Sequence, residues 1–180
     1  MRRTIVFLLF SLVVIRPSLG QAQAGTPPPA ETILDSALKN ASSSGRNVFL
    51  IFHATWCSWC KRLDAALSNP EVKKVFDDSY IVTHLDVLER GDKKQTMENP
   101  GGEDLMKSLG GEKSGLPFYV ILDGTGKKLI DSDIMPGKGN IGFPGSPEEI
   151  AAFEQVLKQT APRMTGEQRA EVVAHLGVKQ

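Results

Sequence analysis

The apolar run Val48-Phe49-Leu50-Ile51-Phe52 is followed, after His53-Ala54-Thr55, by Trp56-Cys57-Ser58-Trp59-Cys60-Lys61, and this hexapeptide holds the only two cysteines of the chain. A run with no apolar/polar alternation suits a strand covered on both faces, which places it inside a sheet rather than at an edge. Past it, Cys60, Leu63 and Leu67 recur at helical spacing until Asn69-Pro70 breaks the pattern. A strand that delivers a Cys-x-x-Cys pair to a helix start is an arrangement for thiol–disulfide exchange. The attacking species is the thiolate. At a helix N-terminus the unpaired backbone N–H groups and the positive end of the dipole favour it at Cys57. Cys60, one turn on and on the same face, can then attack a mixed disulfide formed at Cys57.

Other uses of two cysteines fit less well. Zinc needs about four ligands, and His53, His84 and His175 supply no second pair at metal spacing. Haem attachment needs histidine after the second cysteine, where this chain has Lys61. A bridge between such near neighbours closes too short a loop to stabilise much. No metal is expected, and no cofactor beyond the disulfide.

Helices and strands alternate along the rest of the chain. Ile33, Leu34, Ala37, Leu38 and Ala41 share a face of a helix that begins near Ala30 and ends at Ser42-Ser43-Ser44-Gly45. A short helical piece is predicted over 71–76 and a strand over 80–87. Residues 88–102 are polar and hold Gly91, Pro100, Gly101 and Gly102, which predicts an extended surface connection before a short helix over 103–109. Strands at 118–122 and 128–131 flank Asp123-Gly124-Thr125-Gly126 as a hairpin. A glycine-rich loop spans 137–145. Capping boxes at Ser146 to Glu149 and Thr165 to Gln168 then open two final helices.

Met1-Arg2-Arg3, an apolar stretch over residues 5–15 and a short polar segment have the layout of an export signal. The apolar stretch makes roughly 16 Å of helix at about 1.5 Å per residue, short of a bilayer core of about 30 Å. Residues 1–24 are read as signal peptide and cleavage region, with an uncleaved anchor as the alternative. Residues 25–29 are a proline-rich spacer, and 30–180 a single domain. Export implies a periplasmic or secreted protein, in a compartment where disulfides persist. Without the three leader arginines, 18 basic side chains face 21 acidic ones, a balance that gives no reason to expect a nucleic-acid partner.

Gly115-Leu116-Pro117-Phe118 puts a proline at the entrance of an apolar strand, where it has no N–H to give a ladder. Phe52-x-Ala54-x-Trp56-Cys57-x-x-Cys60-Lys61, then Gly115-Leu116-Pro117, then strand, glycine turn and strand, resembles the thioredoxin superfamily over roughly residues 30–159. The resemblance implies an α/β three-layer sandwich, a central mixed β-sheet flanked by helices, here with an extra C-terminal helix. It implies a redox-active Cys57–Cys60 disulfide in a protein-disulfide oxidoreductase, with Cys57 attacking and Cys60 resolving. It also implies that Pro117 is cis and packs beside the sulfurs, and that Leu116 offers its backbone to an extended substrate. Trp56 is expected to cover the sulfurs and join a docking surface. Trp59 either touches substrate or shields the bridge.

The departures from the family pattern matter too. Thioredoxins bury an aspartate in the strand before the nucleophile, with a lysine on the neighbouring strand; Ile51 and His84 take those places here. His84 is a candidate proton acceptor for Cys60, or a strand histidine without chemical role. His53 and Lys61 are candidate modulators of the thiolate, with packing as the alternative for His53. Ile141 and Phe143 either shape a substrate groove or pack a loop, and His175 is expected at the surface. An apolar residue before Pro117 and the Trp-Cys lead resemble reductases more than strong periplasmic oxidases. The implied partners are a disulfide-containing protein substrate and a membrane thiol electron donor, with the chain acting as a monomer. The rivals are a disulfide oxidase or isomerase, and a non-catalytic binding module on the same fold.

Overall fold

The computed structural model describes residues 26–176. The signal peptide expected over 1–24 lies outside them. Helix α1 (Ala30–Ser44) leads to strand β1 (Asn47–His53), then α2 (Ser58–Ser68), α3 (Pro70–Ser79) and β2 (Tyr80–Asp86). After the short α4 (Lys93–Thr96) and α5 (Gly102–Met106) come β3 (Phe118–Leu122), β4 (Lys128–Asp131), α6 (Pro147–Thr160) and α7 (Gly166–Leu176). The sheet order is β2-β1-β3-β4, with β1 parallel to β2 and antiparallel to β3, and β3 antiparallel to β4. It is the mixed α/β sheet expected, with helices on both faces.

β1 lies between two partners, and its alternate side chains divide the core. Phe49 and Ile51 point to the face covered by α2, α3, α6 and α7, where Phe49 stacks on Tyr119 at 4.9 Å and meets Phe76 edge-on at 5.6 Å. Val48, Leu50 and Phe52 point to the opposite face, against α1, Val120 and Met106. All five are fully buried, as the unbroken apolar run requires. Asn69 ends α2, and its side chain accepts from Glu71 N at the start of α3 with Pro70 at the first helical position. Both capping boxes form, Ser146 with Glu149 and Thr165 with Gln168. α7 is the added helix and packs on α6 and α3.

The 88–102 connection lies at the surface, as its polarity predicts, with residues 90–97 all exposed, but it is closed on itself rather than extended and buries Glu89 and Asn99. Asn99 is buried: its Oδ1 accepts from Asp86 N at 2.7 Å, its own N–H donates to Asp86 O at 2.9 Å, and its Nδ2 donates to Pro28 O at 3.0 Å. These bonds bring the two ends of 86–99 together, and the residues between them form a loop with the exposed α4 at its tip. Polar side chains here satisfy backbone groups, and no hydrophobic period records that. No described helix is long and apolar enough to cross a membrane.

Candidate active site

β1 ends at His53, whose carbonyl accepts from Val87 N at 2.9 Å. The chain then makes a turn closed by Cys57 N donating to Ala54 O at 3.0 Å, and Cys57 caps α2 with its sulfur accepting from Cys60 N at 3.1 Å. A cysteine thus stands where serine or aspartate usually caps, and its sulfur faces the positive end of the helix. Cys57 and Cys60 are joined in a disulfide, with Cα atoms 5.3 Å apart. They are 4% and 1% exposed and cluster with Ala54 and Leu116. The Leu116–Pro117 peptide is cis. Among the described residues neither the N–H nor the C=O of Leu116 has a hydrogen-bond partner, although the flanking Gly115 and Pro117 carbonyls are both taken by Asn140 Nδ2, at 2.7 and 3.0 Å.

Next to Leu116 and Pro117 lies a groove of about 510 Å³, walled by Trp59 and Arg62 of α2 and by Ile141 and Phe143 of the loop before α6. Trp59 is 49% exposed; its ring stacks on Phe143 at 6.0 Å, and the Arg62 guanidinium lies 4.6 Å from its centre. Asn140 ties this loop to the proline segment, and its Oδ1 accepts from Gly142 N at 2.9 Å. Trp56 is placed differently. Its Nε1 donates to Leu88 O at 2.8 Å, Arg90 covers its ring at 3.9 Å, and it does not line the groove. Lys61 is exposed on α2, and its neighbour Arg62 is the cation that meets an aromatic ring.

His53 and His84 come together through Asp64, one turn beyond Cys60 on α2. His84 Nε2 lies 2.9 Å from Asp64 Oδ1, and His53 Nδ1 lies 3.6 Å from Asp64 Oδ2. His53 Nε2 is also 3.3 Å from Asp86 Oδ1. Burial alone would raise the Asp64 pKa, but the close approach of His53 and the hydrogen bond from His84 outweigh it and hold the carboxyl well below the usual range. Burial would lower the His53 pKa; the close approach of Asp64 and the charges of Asp86, Asp64 and Glu89 overcome this and raise it. Ile51 pairs with His84 across β1 and β2, so the two substituted positions are neighbours. Asp64 was within reach of sequence reasoning, since it shares a helix face with Cys60. Glu89 and Asn140 carried no such signal. Among the described residues no group of three or more histidine, cysteine or acidic side chains is placed to hold a metal. His175 is partly exposed, with Nε2 3.4 Å from Glu71 Oε2.

A thioredoxin-like family model matches residues 30–124, just over half of the chain. Protein disulfide isomerase-like 1-1 of Arabidopsis thaliana is 27% identical over 124 residues, 67% of this chain and 24% of that protein, so the chain spans about a quarter of that relative. Among solved structures, a disulphide isomerase from Xylella fastidiosa Temecula1 has 20% identity and a TM-score of 0.49, over 81% of this chain and 88% of that one. A DsbH oxidoreductase has 19% identity and a TM-score of 0.49, over 81% and 94%. The family match takes in β1, both cysteines, the proline and β3, and the chain belongs to the thioredoxin-like family of disulfide oxidoreductases with a Cys-x-x-Cys pair.

Proposed function

We propose that the chain is an exported reductase of protein disulfides, working as a monomer with no cofactor beyond its own cysteine pair. The observation that carries this reading is the Cys57–Cys60 bridge at the N-terminus of α2, packed against Leu116, whose backbone groups have no partner among the described residues. An extended substrate segment can pair with Leu116 and so bring its disulfide to Cys57. In the reduced protein the Cys57 thiolate attacks one substrate sulfur, the substrate S–S bond breaks, and the first substrate thiolate leaves. Cys60 then loses its proton and attacks Cys57 Sγ, and the second substrate thiolate leaves. Two electrons pass to the substrate, and the protein ends as the disulfide. His84, tied to Asp64 one turn past Cys60, is the base that supports the second step. A membrane thiol donor outside the cytoplasm restores the dithiol.

The apolar Leu116 before Pro117 supports reduction as the direction. The likeness to a protein disulfide isomerase-like protein favours exchange as the reaction class and makes isomerisation the second reading. Insulin reduction with wild type, Cys57→Ser and Cys60→Ser tests the proposal. Cys57→Ser is expected to abolish turnover, and Cys60→Ser to accumulate mixed disulfides. Equal activity in wild type and Cys57→Ser overturns the catalytic reading, while a reduction potential near −120 mV, that of a strong oxidant, overturns the direction. The N-terminal residue and cell fraction of the mature protein test export.

A further inference from the structure

Residues 87–90 grip residues 53–56 one after another. Val87 N donates to His53 O at 2.9 Å, Leu88 O accepts from Trp56 Nε1 at 2.8 Å, and Arg90 lies on the Trp56 ring. Between them Glu89, only 5% exposed, spends both carboxylate oxygens on Thr55: Oε1 accepts from Thr55 N at 2.5 Å and Oε2 from Thr55 Oγ1 at 2.9 Å. Thr55 is the second residue of the turn that ends at Cys57, and without Glu89 its half-buried N–H would lose its partner. Burying a carboxylate costs several kcal/mol unless a cation or hydrogen bonds offset it. Glu89 joins no ion pair among the described residues; Lys93 Nζ donates to Thr55 Oγ1 at 3.0 Å instead. A neutral amide would keep the acceptor for Thr55 N and lose only the one for Thr55 Oγ1, so the charge calls for a reason beyond the backbone bond.

We propose that Glu89 is a positioning residue for Cys57, holding the turn that presents the nucleophile and, through its charge, biasing the Cys57–Cys60 pair toward the disulfide. This rests on the reading of Cys57 as the exchange nucleophile. Two residues of chain separate Thr55 N from Cys57 N by at most about 7 Å, so the carboxylate that binds Thr55 N lies no farther from Cys57 N than about 10 Å, a distance comparable to the Debye length of about 8 Å. Glu89, Ala54 and Cys57 are buried while Thr55 is half-buried and Trp56 exposed, so salt screens this interaction in part only. A negative charge there opposes the helix N-terminus and disfavours the Cys57 thiolate. Reduction of the bridge takes two electrons and two protons to give the dithiol. Whatever destabilises the thiolate lowers the potential of that couple and makes the dithiol a better electron donor. The other charged groups around this turn are His53 at the end of β1, Asp86 at the end of β2, Arg90, Lys93 and Glu98 on the loop, and Lys61, Arg62 and Asp64 on α2. The charge of Glu89 is felt at His53, on the far side of the turn.

The test is equilibration of the full chain with reduced and oxidised glutathione, in which two glutathione thiols reduce the bridge and leave as their own disulfide. Glu89→Gln keeps an acceptor for Thr55 N and removes the charge. Its equilibrium constant for reduction is expected to rise about tenfold, or about 30 mV, with the Cys57 thiol pKa falling by about one unit. An unchanged constant and an unchanged thiol pKa overturn the proposal, even if the variant melts earlier, because a purely structural glutamate would do just that. Should Glu89→Gln fail to fold, the exposed Lys93→Ala asks the same question with opposite sign. Its constant is expected to fall about threefold, and no change overturns the proposal. No protein substrate is involved, so this result is separable from the insulin assay on Cys57→Ser.

Discussion

Two segments flank the Cys57–Cys60 bridge, and they are built to opposite rules. The 86–99 loop meets the chain just before Cys57 with hydrogen bonds to Thr55 and Trp56 and a guanidinium over an indole, and it buries a carboxylate and an amide to do so. The side that holds Leu116, Pro117, Ile141 and Phe143 leaves the Leu116 backbone without a partner among the described residues, half-exposes Trp59 and encloses a groove of about 510 Å³. Polar groups that are fully paired rigidify, while unpaired groups beside apolar surface are the ones a ligand can use. On the proposed reading the contrast divides the labour: one segment would hold the nucleophile, and the other would be left for the substrate. Changes on the groove side should then move KM, and changes on the loop side the redox equilibrium.

Asn140→Ala should be the most damaging change to the groove. It removes the partner of the exposed Gly115 carbonyl and breaks the part-buried bonds to the Pro117 carbonyl and Gly142 N, which costs about 0.5–1.5 kcal/mol in a urea melt. KM for a protein disulfide should rise with the glutathione equilibrium unmoved; a shifted equilibrium would break the division. Phe143→Ala removes one stacked ring, a pair worth about 0.5–1.5 kcal/mol. It should raise KM for a protein disulfide by about three- to tenfold while a small-molecule disulfide is reduced at the wild-type rate. Equal losses on both substrates would show that the groove does not select.

The smallest effect belongs to Asp64→Asn, in the histidine cluster between the two sides. The Asp64 pKa is lowered from 3.8, so its contribution to stability is present above about pH 4 and lost as pH falls further. The His53 pKa is raised from 6.5, so its contribution is present below about pH 6.5 and lost as pH rises through the folded value. The pair therefore acts fully between these limits. The melting temperature should decline from pH 6 to pH 8, and Asp64→Asn should flatten that slope. With both groups partly exposed the change is under about 1 kcal/mol; an unaltered slope would mean the cluster is not coupled to folding.

Much of the fold is legible in local pattern. The run Val48 to Phe52 could only be an inner strand, the glycine turn at 123–126 could only join a hairpin, and Ser146-Pro147-Glu148-Glu149 announces a helix start. The polarity of the 88–102 connection reports its place at the surface but not the two polar side chains buried within it. Glu89 and Asn99 look like solvent-facing residues in a glycine-bearing stretch, yet each is buried to satisfy backbone donors or acceptors. In the site, a two-cysteine motif after a strand names its own chemistry. It is silent on Trp56 joining the loop rather than the groove, and on Arg62, rather than Lys61, meeting Trp59.

Helix geometry alone sets Cys57 and Cys60 one turn apart at the mouth of α2, because that relation is local and survives any packing of the rest. Which groups surround them is a matter of long-range contact. Glu89 reaches Thr55 across 34 positions, and Asn140 reaches Pro117 across 23. Periodicity reports which face of an element is apolar; it carries no record of which distant polar partner completes a buried hydrogen bond. The cysteine pair is therefore written in a few adjacent letters, whereas its electrostatic setting and the groove beside it exist only once β1, β2 and β3 have aligned.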